Sequence, residues 1–95
     1  MKLVYSREAV GDLERLRAFI AAKDPGAAAR VARDLLQRIG NLRQFPLMGV
    51  PMATDFEPKV LRDMIFGAYI VRYAAQPETI IILRVWHHLE QRPDI

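Results

Sequence analysis

A chain of 95 residues, 52% hydrophobic and 26% charged, has the balance of a folded globular domain and is too short to build a second core. The lack of cysteine excludes a disulfide framework and a thiolate zinc site and makes the reducing cytoplasm the expected location. Arginine supplies 11 of the 14 basic residues, and the net charge of +3 favours an anionic partner, either nucleic acid or an acidic protein segment.

The opening MKLVYSREAVGDLERL carries charges every few residues, so it fits neither a signal peptide nor a membrane span. Residues 2–5 (KLVY) are β-prone. Ser6 offers a side-chain oxygen as a helix cap, and Glu8 in the first turn suits the positive end of the helix dipole. Ala9, Leu13, Leu16 and Ile20 then fall on one helical stripe, with Arg7, Glu14 and Arg17 off it, which predicts an amphipathic helix over residues 7–22.

Lys23-Asp24-Pro25-Gly26 stops that helix and starts another, because the residue before a proline leaves the α region while Asp24 caps and Pro25 fits the first helical position. Ala28, Val31, Leu35, Ile39 and Leu42 form the second apolar stripe; Arg30, Arg33, Asp34 and Arg38 lie off it. The first half therefore reads as an antiparallel helical hairpin.

Pro46, Gly49, Pro51 and Pro58 then prescribe a long loop. Three β-prone runs follow, at 59–66 (KVLRDMIF), 68–75 (AYIVRYAA) and 79–88 (TIIILRVWHH), and their short separators predict an antiparallel meander. The expected class is α+β in the order β-α-α-β-β-β, as one domain, with both helices on one face of the sheet and the first strand added to it.

Strand alternation puts Val60, Arg62, Met64 and Phe66 on one side of their strand, Ile70, Arg72 and Ala74 on one side of the next, and Ile82, Arg84, Trp86 and His88 on one side of the last. If the register aligns those sides, Arg62, Arg72 and Arg84 gather on the face away from the helices, where forked guanidinium donors suit a phosphodiester. The alternative is that these long side chains lie over apolar sheet surface with their heads in water.

His87 would point the other way, as a general acid or base or as a structural hydrogen-bonding group. Neighbouring strand residues face opposite sides, so His87 and His88 are not expected to share a metal ion. On helix two, Arg30 and Arg33 would suit an acidic, amphipathic partner segment. No Gly-rich phosphate loop, Gly-x-Ser-x-Gly elbow or His-Glu-x-x-His is present, and no cofactor is expected.

The segments YSREAVGDLERLRAFIA, DPGAAARVARDLLQRI, FPLMGVP, VLRDMIFGAYIVRY and IIILRVWHH, in this order, resemble the RelE/ParE superfamily of type II toxin-antitoxin toxins over nearly the whole chain. The likeness rests above all on Arg62 in the second strand, Tyr73 ending the third, and Leu-Arg-Val-x-His in the fourth, which holds Arg84 and His87. It implies a compact α+β toxin held inactive in a hetero-oligomer with a cognate, ParD-like antitoxin encoded beside it.

RelE-like members cleave messenger RNA on the ribosome; ParE-like members act on DNA gyrase and block replication; a third alternative is a non-toxic member that serves as a binding partner in its toxin-antitoxin operon. A RelE-like reading would make Arg62, Arg84 and His87 catalytic. However, only Lys59 stands where such enzymes are rich in lysine, and HLEQRPDI after His87 has no tyrosine. The alanine-rich hairpin with Asp24-Pro25 at its turn and the Phe45-Pro46-x-x-Gly49 loop favour the ParE-like branch. On that reading the contact residues would be Arg62, Arg72, Arg84, Trp86 and His88, with Arg30 and Arg33 on the second helix.

Overall fold

The structure, a computed structural model, describes residues 1–52 and 61–93. Pro58, Lys59 and Val60, which figure in the expectations above, lie outside the described residues. Strand β1 (Lys2–Tyr5) leads into α1 (Arg7–Ala21), α2 (Pro25–Gly40) and a 3-10 turn (Asn41–Arg43). Strands β2 (Val50–Pro51), β3 (Leu61–Phe66), β4 (Tyr69–Ala75) and β5 (Thr79–His87) complete the chain order. No helix of the described residues is long and apolar enough to cross a membrane.

The helices start where the capping chemistry places them. Ser6 Oγ accepts from the Ala9 amide at 3.0 Å, and Asp24 Oδ1 accepts from the Ala27 amide at 3.1 Å with Pro25 opening α2. Leu16, Leu35, Ile39 and Leu42 from the helical half meet Met64, Val71, Tyr73, Ile80, Ile82 and Val85 from the sheet in one buried core.

The sheet runs β1-β5-β4-β3-β2, with β1 parallel to β5 and the other pairs antiparallel. The meander and the added first strand are thus present, and the added strand lies beside the last one. The two-residue β2 was not anticipated, because Pro51 and the surrounding prolines argue against a strand everywhere but at a sheet edge, which is where it lies. Gly67 joins β3 to β4 at φ +57°, a backbone state that side chains with a Cβ rarely adopt and that a two-residue hairpin loop requires.

The register overturns the expected arginine cluster. Arg62 pairs with Tyr73, a core residue, whereas Arg72 pairs with Asp63, so Arg62 and Arg72 stand on opposite faces. A β-bulge adds a second departure: Arg72 pairs with Arg84 but Tyr73 with Ile82, leaving Leu83 unpaired. The extra residue resets the alternation, so Ile82 and Val85 both enter the core, and Ile82, Arg84, Trp86 and His88 do not form one side.

Candidate functional site

Each of the three sheet arginines is engaged inside the molecule, and by a different acceptor. Arg72, 3% exposed, donates from Nε and Nη2 to the two carboxylate oxygens of Asp63 at 2.9 and 3.0 Å. Its guanidinium carbon lies 5.0 Å from the centre of the Trp86 ring, a cation–π arrangement. Trp86, expected on an exposed contact surface, is buried, with the Arg72 head over its ring.

Arg84 reaches to α1, donating from Nε and Nη2 to Asp12 at 2.8 and 3.0 Å. The reason lies in the strand lengths. β1 ends opposite Ile82, so among the described residues the β5 edge beyond has no strand beside it, and the start of α1 supplies partners instead. The Ser6 amide donates to the Ile82 carbonyl at 2.9 Å, Ser6 Oγ donates to the Leu83 carbonyl at 2.9 Å, and the Val85 amide donates to Asp12 Oδ2 at 2.9 Å. Asp12 also accepts from Arg15 at 2.6 Å. Burial pushes the Asp12 carboxyl up, but the hydrogen bonds from Arg84, the Val85 amide and Arg15 outweigh it and hold it below the usual carboxylate range.

Arg62 donates from Nη1 to the carbonyls of Leu47 and Gly49 at 3.1 and 2.7 Å. Beside it, the Tyr73 hydroxyl donates to the Pro46 carbonyl and accepts from the Gly49 amide, both at 2.8 Å. Burial raises the Tyr73 pKa, against smaller opposing effects of Gly49 and Arg62, so the hydroxyl keeps the proton it donates. These two side chains together pin the Phe45–Val50 loop.

His87 closes the turn after β5. Its Nδ1 accepts from the Leu89 amide at 3.1 Å, its amide donates to Glu90 Oε1 at 2.9 Å, and its ring meets Tyr69 edge-on at 5.3 Å. The exposed His88 stacks on it with centroids 4.8 Å apart. Arg15 ties this turn to α1 through two 3.1 Å contacts with Glu90. Between them lies a groove of about 520 Å³, walled by Leu16, Phe19, Ile20, Tyr69, His87 and Leu89. Arg30 and Arg33 sit exposed on α2. Among the described residues no three His, Cys, Asp or Glu side chains converge as a metal site would require.

Sequence reasoning missed Asp12, Asp63 and the partnership of Tyr73 with Gly49. Asp12 carried a signal: it lies within the apolar stripe of α1, between Ala9 and Leu16, where an acid needs a buried partner. Asp63 carried none, because its partner depends on the register. The fold and these contacts can be set beside known proteins. The family described as "ParE toxin of type II toxin-antitoxin system, parDE" matches residues 3–92.

The chain belongs to this ParE toxin family. It is the toxin component of a type II toxin-antitoxin system, within the wider RelE/ParE superfamily. This ParE-family toxin is 32% identical to a toxin named RelE1 of Caulobacter vibrioides, over 95% of the chain and 96% of that relative. It is 30% identical to a toxin named RelE3 of the same organism, over 85% of the chain and 87% of the relative.

Among solved structures, a chain of the chromosomal ParDE system from P. aeruginosa superposes with a TM-score of 0.76 at 19% identity, covering 92% of this toxin and 95% of that chain, a likeness of fold. A chain of the RelBE2 toxin-antitoxin complex from Mycobacterium tuberculosis gives 0.63 at 26% identity, covering 90% and 95%.

Proposed function

We propose that this toxin acts by binding a protein target, DNA gyrase, and that a cognate ParD-like antitoxin neutralises it in a hetero-oligomer. The observation that carries the reading is the pairing of two sheet arginines with carboxylates, Arg72 with Asp63 and Arg84 with Asp12, while Arg62 holds two loop carbonyls through Nη1 and leaves Nε without a partner. A ribonuclease acting on a phosphodiester needs guanidinium groups free to meet the charge that develops on the phosphate. Guanidiniums already paired with carboxylates offer that charge little. His87, the candidate base, has its Nδ1 occupied by the Leu89 amide. The solved RelBE2 toxin-antitoxin complex from M. tuberculosis, with a chain 26% identical to this one, supports the antitoxin as partner.

The names of the Caulobacter relatives favour a second reading, a RelE-like ribosome-dependent messenger RNA endonuclease with Arg62, Arg84 and His87 in the chemistry. One comparison separates the two. The antitoxin-free toxin is added to a gyrase supercoiling assay that also scores cleaved DNA, and in parallel to translating ribosomes. Inhibition of supercoiling with trapped cleaved DNA is expected. Messenger RNA cleavage that disappears in an Arg62→Ala/His87→Gln variant would reverse the assignment.

A further inference from the structure

Five large apolar side chains stand exposed along the β2 edge of the sheet: Phe45 (60% exposed), Leu47 (64%), Met48 (48%), Val50 (64%) and Ile65 (70%). Val50 pairs with Asp63 and so shares a sheet face with Ile65 two residues on. Met48, Val50 and Ile65 line one depression, and Phe45, Leu47 and Met48 the next, which makes the patch continuous. A loop free to move would turn such side chains inward, because exposed apolar surface is unfavourable in water. Here it is held. Tyr73 and Arg62 fix the carbonyls and amide of Pro46, Leu47 and Gly49, and Gly49 is packed so closely that an added Cβ would stand 2.8 Å from the Tyr73 ring.

A rigid, contiguous apolar display on a small domain marks an interaction surface. Among the described residues its surroundings are basic. Arg38 lies in the same depression as Met48 and Val50, the exposed Arg43 precedes Phe45 by two residues, and the acid at its border, Asp63, is committed to Arg72. A second copy would bring Arg38 and Arg43 against like charges. The groove between α1, Tyr69 and Leu89 shares no residue with the patch, so an antitoxin can have a surface of its own.

We infer that the Phe45–Val50 loop with Ile65 is the surface that engages the toxin's protein target, and that it takes an apolar target segment flanked by Asp or Glu. This rests on the protein-binding function proposed above. The test uses a Phe45→Asp/Leu47→Asp variant of the full chain, whose substituted side chains are exposed, with thermal melting to verify folding. Three measurements follow: half-inhibition of purified gyrase, binding to the purified cognate antitoxin, and growth arrest on expression. The variant should lose gyrase inhibition by at least about tenfold and keep its antitoxin affinity, as removal of central contacts from one of two interfaces dictates. Arg38→Glu/Arg43→Glu should weaken inhibition in the same direction.

A variant as inhibitory as the parent overturns the surface and leaves the gyrase reading intact. Loss of antitoxin binding with the fold kept overturns it too, and gives the patch to the antitoxin. If the parent does not touch gyrase, the gyrase reading fails, and growth arrest decides: an arrest abolished by the variant upholds the surface with another target, and an arrest retained, or absent in the parent, overturns it.

Discussion

The hydroxyl of Tyr73 stands 2.8 Å from the amide nitrogen of Gly49, 24 residues earlier in the chain, and both groups are buried. The close approach requires a residue without a Cβ, since one added at Gly49 would also meet the Asp63 carbonyl oxygen at 3.0 Å. Gly49→Ala should therefore destabilise the fold by about 1–3 kcal/mol through overpacking. Tyr73→Phe removes the partner of two backbone groups and should cost about 1–3 kcal/mol. Urea unfolding measures both, and an unchanged midpoint in either variant would refute the clamp.

Asp12 offers a prediction in pH. Its folded carboxyl is held below the usual range, so the stability it contributes is present above the ordinary aspartate value of about 4 and is lost as pH falls through the lower folded value. Glu90 shifts the same way: burial opposes, but the His87 amide and Arg15 prevail. Asp12→Ala should cost about 3–5 kcal/mol near neutrality, because it leaves Arg84 and the Val85 amide without their acceptor. Melting temperatures taken from about pH 7 to about pH 3 should also fall less steeply in the variant than in the parent.

The buried pair of Arg72 and Asp63 should behave asymmetrically. Asp63→Ala leaves the Arg72 side chain, 4% exposed, without its counter-ion and should destabilise by about 3–5 kcal/mol. Adding Arg72→Met removes the stranded charge and keeps apolar contact with Trp86, so the double variant should recover most of the loss. Should the double variant prove no more stable than Asp63→Ala alone, the pair matters for packing and not for its charge.

By contrast, Glu90→Gln should change stability by less than about 1 kcal/mol, even though Arg15 makes two hydrogen bonds to this carboxylate. The Arg15 side chain is 44% exposed and Glu90 35%, so water and salt compete for the contact. Raising ionic strength should erase the difference between variant and parent in a thermal melt.

The helices were legible because their determinants are local: Ser6 and Asp24 cap the helices they precede, and the apolar stripe of α2 survives in the core as Ala28, Leu35 and Ile39. The meander was legible from its short separators. What the arginines do was not legible, because it depends on a register and a bulge that alternation within a single strand cannot supply. The unpaired Leu83 brings Arg84 opposite Arg72, so those two do share a face; Arg62 stands on the other one, and Arg84, beyond the end of β1, turns to Asp12 of α1. Trp86 does lie on the side expected of it, with Ile70 and Arg72, but it is buried there rather than exposed as a contact residue.

The parallel pairing of Lys2 with Thr79 and of Tyr5 with Ile82 makes the first strand wait for the last. While a ribosome has made the chain only up to Gln76, β1 has no neighbour, β4 lacks one of its two, and the apolar stripes of the helical hairpin have half a core to cover. Contacts this distant in sequence form late and slowly, since the intervening loop must close first. The toxin is thus kept from maturity by its own order of synthesis until β5 has been made, and a break in translation before Thr79 removes an interior strand of the sheet and not its rim.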